Sequence, residues 1–301
     1  MAEVATAARE YLEATRPVVD AALDSVLPGA SAIPESLHAA MRHSVFAGGK
    51  RLRPMLALAG AEACGGAREV AMPFACAVEL IHTYSLIHDD LPAFDDEALR
   101  RGQPTCHAVY GETIAILAGD ALQALAFEVV SDAALTSGNP LDWTRAGRLL
   151  ASASGSVGMC GGQTLDVEAA GHDLDLDGLR QLHALKTGAL LTASVVGGGM
   201  VGTGDATAIR ALTDYGDALG LAFQVVDDLL DVEGTAEELG KNPGGDAARD
   251  QPTFPSLIGV EASRAEAKAL RDRAITALDS LPSENTEPLR GLADYVIARS
   301  H

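Results

Sequence analysis

The chain has 301 residues, with 22 Lys and Arg against 42 Asp and Glu and a formal net charge of −20. At 48% hydrophobic and 21% charged residues it is neither disordered nor collagen-like, and it can bury a core without disulfide staples. Such acidity excludes nucleic acid as the main partner, because phosphate backbones select basic surfaces, and any anionic substrate must be met by local Lys/Arg or by a bridging cation.

The opening, MAEVATAAREYLEATRP, places Glu3, Arg9 and Glu10 where an export signal needs its apolar run, so no export signal is expected. Aromatic residues are only 4%, alternating β-branched runs are scarce, and Ala, Leu and Glu recur at helical spacing. The spacing predicts helices over about 3–27, 34–47, 54–64, 70–91, 111–135, 142–169, 176–199, 206–232, 253–281 and 284–299. Pro28-Gly29, Gly48-Gly49, Gly65-Gly66, Ser137-Gly138-Asn139-Pro140 and Asn242-Pro243-Gly244-Gly245 punctuate them. Two charge-free stretches, 149–165 and 187–204, approach the ~18–20 residues of a membrane span. Gly, Ser and Thr interrupt both, so they read as buried helices and no transmembrane segment is expected. No linker divides the chain, which predicts one all-α domain, 1–301, of about ten helices. Cys64, Cys76, Cys106 and Cys160 lack any CxxC or zinc spacing and read as free, mostly buried thiols of a cytoplasmic protein.

Three segments carry chemistry. In His88-Asp89-Asp90-Leu91-Pro92-Ala93-Phe94-Asp95-Asp96-Glu97, five carboxylates fall within nine residues at the end of an apolar helix. In an unbroken helix Asp89 and Asp95 would be rotated about 600° apart. Pro92 cannot continue a regular helix and restrains Leu91, so the chain turns and Asp95 can fold back beside Asp89. Clustered carboxylates on a turn suit Mg²⁺, a hard ion that shares its shell with water and substrate phosphates. A solvated acidic helix end is the plainer alternative, but the helix dipole disfavours it. In the second segment Gln224, Asp227, Asp228 and Asp231 lie at i, i+3, i+4 and i+7 on one helical face, where like charges repel unless a cation intervenes. The third is cationic: in Gly48-Gly49-Lys50-Arg51-Leu52-Arg53-Pro54, glycines free backbone amides beside Lys and Arg, as anion sites require. Arg100, Arg101, Lys186 and Lys241 add cations near the acidic segments.

These segments, with ILAGDALQ, GMCGGQTLD, HALKTGALL and ADYVIAR, resemble the trans-type prenyl diphosphate synthases, most closely the bacterial farnesyl diphosphate synthases. The resemblance covers most of residues 40–300. It implies a helical bundle around a central apolar cavity, a homodimer, and isoprenoid diphosphates as small-molecule partners. It further implies that Asp89, Asp95 and Asp227 bind three Mg²⁺ ions on the allylic diphosphate, helped by Arg100, Lys186 and Lys241. Lys50, Arg53, His82 and Arg101 would hold isopentenyl diphosphate. Thr187 and Gln224, beside Lys186, would face the reacting carbons, with Gln163, Asp166, Asp90, Asp228 and Asp231 in support. Two departures stand out: Gln251 occupies a usual Lys position, with Arg249 nearby, and Ala98 replaces a residue that is acidic in many relatives. Tyr84 and Ser85, five and four residues before Asp89, lie about 7.5 and 6 Å lower along the helix and would floor the allylic tail pocket, implying a fifteen-carbon product. A geranylgeranyl or geranyl diphosphate synthase is the serious rival. A class I terpene cyclase and a non-catalytic partner subunit are disfavoured by the cationic segment and by two intact aspartate clusters.

Overall fold

The computed structural model describes residues 2–169, 171, 174–202, 205–233 and 252–298. Helix α1 (Ala2–Val26) carries Leu12, Thr15, Val19 and Leu23 at three- and four-residue spacing, and all four are buried against the bundle. Helices α2 (Glu35–Val45), α3 (Leu52–Ala63) and α4 (Arg68–Asp89) follow. A two-stranded hairpin, β1 (Leu99–Arg100) and β2 (Gln103–Pro104), leads to α5 (Cys106–Tyr110), α6 (Glu112–Thr136), α7 (Pro140–Ser154) and α8 (Met159–Ala169). Then come α9 (Leu176–His183), a single π turn (Ala184–Gly188), α10 (Ala189–Gly202) and the long α11 (Ala206–Glu233). Helices α12 (Phe254–Ile258), α13 (Val260–Ala277) and α14 (Ser283–Ala298) complete the described chain.

The stretch 187–204 owes its lack of charge to close helix packing. A Cβ on Gly198 would stand 1.9 Å from the Ala57 carbonyl oxygen, and one on Gly60 would stand 2.2 Å from that of Val195. Helices α3 and α10 therefore touch backbone to backbone, and both are buried on nearly every side. Three apolar clusters hold the bundle together. Phe74, Leu80, Leu122 and Trp143 belong to the first, Met55, Leu56, Tyr215 and Leu292 to the second, and Val225, Phe254 and Leu270 to the third. Three described helical stretches are long and apolar enough to cross a membrane: Arg68–Asp89, Glu112–Thr136 and Leu176–Gly202. In the first and third, 67% and 61% of the most apolar window is buried inside the fold, against 33% in α6.

The helix expected over 142–169 is divided. Gly155 and Gly158 weaken the helix, and the turn is so tight that a Cβ on Gly158 would meet the Ala153 carbonyl oxygen at 2.2 Å. The helix expected over 253–281 breaks at Gly259, whose φ of +85° lies where glycine is favoured. The hairpin and α5 were not anticipated, because elements of two and five residues leave no periodicity to read.

Candidate active site

The end of α4 positions the first acidic cluster. Beyond Asp89 the chain turns at Pro92, and the Asp95 backbone N–H donates to the Asp89 carbonyl oxygen at 2.9 Å. Glu97 N–H likewise reaches the Asp90 carbonyl at 3.2 Å. Asp90 itself is buried and accepts from Arg100, with Nε at 2.7 Å and Nη2 at 2.6 Å from Oδ1. Burial pushes the Asp89 carboxyl up to about 6; Lys186 and Arg100 pull it back, and Asp95 and Asp90 push it further. Asp89, Asp95, Arg100 and Lys186 thus form one electrostatic cluster at a helix C-terminus that by itself repels carboxylates.

The cationic segment meets α4 at Glu79, where Arg51 pairs with it at 2.8 Å. The hairpin turns through Arg101 and Gly102, both at positive φ, as a two-residue loop demands. That turn lets Arg101 Nη1 donate to the Gly48 carbonyl at 2.6 Å. Gly49 has a φ of +116°, and a Cβ there would lie 2.3 Å from Arg101 Nη1, so only glycine leaves room for the guanidinium. Arg53 stands close by, its Nε buried and without a hydrogen bond among the described residues. Burial presses its guanidinium down to about 10; Glu79 opposes this and Arg101 adds to it. Burial also lowers Arg101, with Glu79 opposing and Arg51 and Arg100 reinforcing. His82 is held well below the usual imidazole range by burial and then by Arg53, Arg101, Arg100 and Arg51, so it stands neutral as a hydrogen-bonding group. Arg53, His82 and Arg101 therefore converge. Lys50, on the same loop, is exposed, with its ammonium 5.7 Å from the centre of the Tyr295 ring.

The π turn brings the third group. Gly162 of α8 packs directly on it, since a Cβ there would stand 2.1 Å from the Lys186 backbone nitrogen. Lys186 Nζ contacts Asp166 Oδ2 at 2.6 Å while lying within electrostatic reach of Asp89. Thr187 is half-buried in the same turn. Gly220 of α11 presses against Gly188, which sets Gln224, one turn on, beside this turn. Asp227 is exposed, whereas Asp228 and Asp231 are buried. Lys241, Arg249 and Gln251 lie outside the described residues.

Two residues that support the site are not singled out by the sequence pattern. Arg51 and Glu79 form a buried pair at 2.8 Å, and Arg51 also reaches Asp20 and the Val45 carbonyl, both at 2.7 Å. Removing one partner of such a pair typically costs about 3–5 kcal/mol, so this pair pins the glycine loop to α1 and α4. The signal for Glu79 was its lone charge in the apolar run from Phe74 to Ile81. His183, buried three residues before Lys186, is the other.

Carboxylates gather around Asp89, and basic side chains around Arg53 and Arg101. An orphaned Arg53 Nε and two guanidinium groups held below their usual range fit a diphosphate, whose charge would restore both. Around Asp89 the donors are all carboxylate oxygens, the ligands that Mg²⁺ takes. Among the described residues no three His, Cys, Asp or Glu side chains form a metal cage. Mg²⁺ needs none: one or two carboxylates with water and substrate phosphates suffice.

Residues 34–281 match the polyprenyl synthetase family. The chain is 47% identical over 263 residues to the farnesyl diphosphate synthase of Escherichia coli (strain K12), covering 86% of this chain and 88% of that one. It is 45% identical over 295 residues to the heterodimeric geranylgeranyl pyrophosphate synthase large subunit 1, chloroplastic, of Arabidopsis thaliana, covering 97% of this chain and 79% of that one. Its fold superimposes on the apo crystal structure of an FPP/GFPP synthase from Zymomonas mobilis with a TM-score of 0.86 at 38% identity, covering 98% of this chain and 100% of that one. The fold and these likenesses agree, and the chain belongs to the polyprenyl synthetase family, whose members are prenyltransferases.

Proposed function

We propose that this prenyltransferase condenses isopentenyl diphosphate head to tail with dimethylallyl and then geranyl diphosphate, giving farnesyl diphosphate. What supports the reading is a carboxylate cluster at the end of α4 together with a basic group around Arg53 and Arg101. A reaction of two diphosphates needs both. Asp89, Asp95 and Asp227 would hold Mg²⁺, three ions in the full complex, and these supply positive charge to the leaving diphosphate. Arg100, Lys186 and Lys241 would bind the same diphosphate. As the allylic C–O bond breaks, Thr187 Oγ1 and Gln224 Oε1 stabilise the positive carbon. Lys50, Arg53, neutral His82 and Arg101 orient isopentenyl diphosphate so that its double bond forms the new C–C bond. The proton that is then lost goes to the departing diphosphate, so no protein base is required. Apolar helix faces exclude the water that would quench the cation.

Product length rests on Tyr84. Its side chain is 5% exposed, its hydroxyl lies 3.7 Å from Cys160 Sγ of α8, and its ring meets that of His88 edge-on at 5.8 Å. A ring held from two sides resists compression by a growing tail. Relatives named for fifteen- and twenty-carbon products both occur, so the packing of Tyr84 is what favours the shorter one. The wild-type chain is expected to release a fifteen-carbon product, and Tyr84→Ala to shift it to twenty carbons or more. Chromatography of dephosphorylated products measures this. An unchanged distribution in a folded variant would place the floor elsewhere.

We also propose a homodimer in the cytoplasm. Four free cysteines suit a reducing compartment. The flank of α6 leaves Ile116 and Leu117 at 44% and 47% exposure, apolar surface that a second copy would cover. Sedimentation velocity is expected to give a dimer at micromolar concentration, which Leu117→Glu weakens. A wild-type monomer contradicts this.

A further inference from the structure

Behind Gln224 lies a chain of hydrogen bonds that the reaction scheme does not use. His183 Nε2 is 3.2 Å from Asp228 Oδ2, and His183 Nδ1 is 3.3 Å from Gln224 Nε2. Asp228 Oδ2 also accepts the Phe254 backbone N–H at 2.9 Å. The imidazole stacks on the Phe254 ring, 5.9 Å between centroids and 14° between planes. His183 and Asp228 are 7% and 5% exposed, so water does not compete for these groups.

We propose that His183, held by Asp228, is a positioning residue that fixes the Gln224 amide with its carbonyl oxygen toward the reacting carbons. The inference rests on the prenyl-transfer reading and deepens it. Asp228 Oδ2 already accepts the Phe254 N–H and so meets a ring N–H at His183 Nε2, while the Gln224 NH₂ group facing Nδ1 makes that nitrogen the acceptor. A lone pair selects the NH₂ end of an amide. Were Gln224 turned over, its Oε1 would face Nδ1, two acceptors in a buried place, at the cost of an unsatisfied polar contact. The NH₂ end is thus tied to His183, which leaves Oε1 as the end that can serve the reacting carbons.

Orientation decides the chemistry here. An amide oxygen carries partial negative charge and stabilises a carbocation, whereas an NH₂ group in its place would repel it. Asp228 therefore serves the second aspartate motif from behind. Its Oδ2 is engaged by two donors, while Asp227, exposed one residue earlier, is the one turned outward.

Steady-state kinetics of the full chain with isopentenyl and geranyl diphosphates and Mg²⁺ test this with His183→Leu, His183→Asn, Gln224→Leu and the double variant His183→Leu/Gln224→Leu. His183→Leu is expected to lower kcat about 10- to 100-fold, as loss of orientation does, with both KM values within about threefold of wild type. His183→Asn, whose amide oxygen takes the place of Nδ1, restores kcat to within about threefold of wild type. In the Gln224→Leu background, removing His183 costs less than about twofold, because the two act as one unit. Additive losses, an Asn variant no better than Leu, or an effect confined to KM would overturn the proposal. A wild-type chain without prenyl transfer would overturn the reading beneath it as well, and wild-type turnover in the same assay separates the two failures.

Discussion

Asp89→Ala lowers turnover about 10²–10³-fold at saturating substrate and leaves the helical content unchanged, and Asp227→Ala does the same. The effect is large because a diphosphate leaving group takes up a full negative charge as the C–O bond breaks. On the proposed reading Asp89 meets that charge through Mg²⁺; it lies beside Asp95, with Lys186 and Arg100 in electrostatic reach. Folding gains nothing from it. Its carboxyl is raised to about 6 by burial, so at neutral pH the native state holds this carboxylate against its preference. The thermal midpoint of Asp89→Ala without substrate therefore stays level or rises while activity collapses. Thermal melts followed by circular dichroism and steady-state kinetics with both substrates read the two quantities separately. Near-normal turnover in both variants would remove the carboxylates from the reaction.

Arg53→Met raises KM for isopentenyl diphosphate about 10- to 150-fold, the equivalent of ~1.5–3 kcal/mol for hydrogen bonds to a charged group. KM for the allylic diphosphate moves little, because Arg53 belongs with His82 and Arg101 rather than with Asp89. The sign on stability is opposite to the sign on binding. Burial holds the guanidinium down at about 10, so the charged form is disfavoured on folding, and its removal raises the thermal midpoint of the substrate-free protein. Met keeps the volume of the stem and leaves no cavity to confuse the result. Equal changes in both KM values would show that the two anion sites are one.

The chemistry was legible in the sequence where residue type and spacing alone express it. Pro92 announced the turn that folds Asp95 back, and that turn is closed by the hydrogen bond between Asp95 N–H and the Asp89 carbonyl. Gly48-Gly49 beside Lys50, Arg51 and Arg53 marked a basic loop, although not which cation turns inward. Arg53 does, Arg101 reaches the Gly48 carbonyl at the surface, Lys50 lies by Tyr295, and Arg51 is spent on Glu79. That division depends on partners from α1 and α4, distant in sequence and invisible to local spacing. The hairpin holding Arg100 and Arg101 is two residues per strand, too short for a period of two to register. The π turn was hidden because α10, which follows it, is apolar and buried on nearly every side, so a one-residue shift of its face leaves no mark on the pattern. His183 went unnoticed because a single buried histidine usually means packing, and only its two partners, one on each ring nitrogen, distinguish it.

The central claim is that one chain joins two diphosphate-bearing substrates through a carboxylate-rich site and a cationic one. Purified chain incubated with isopentenyl and dimethylallyl diphosphates tests it most directly, with Mg²⁺ present and with Mg²⁺ removed by EDTA. With Mg²⁺, the prediction is a linear fifteen-carbon diphosphate and two diphosphates released per product, one for each new C–C bond. With EDTA, both vanish, and they return when Mg²⁺ is restored. Failure to extend dimethylallyl diphosphate in the presence of Mg²⁺, or undiminished extension after its removal, would contradict the account.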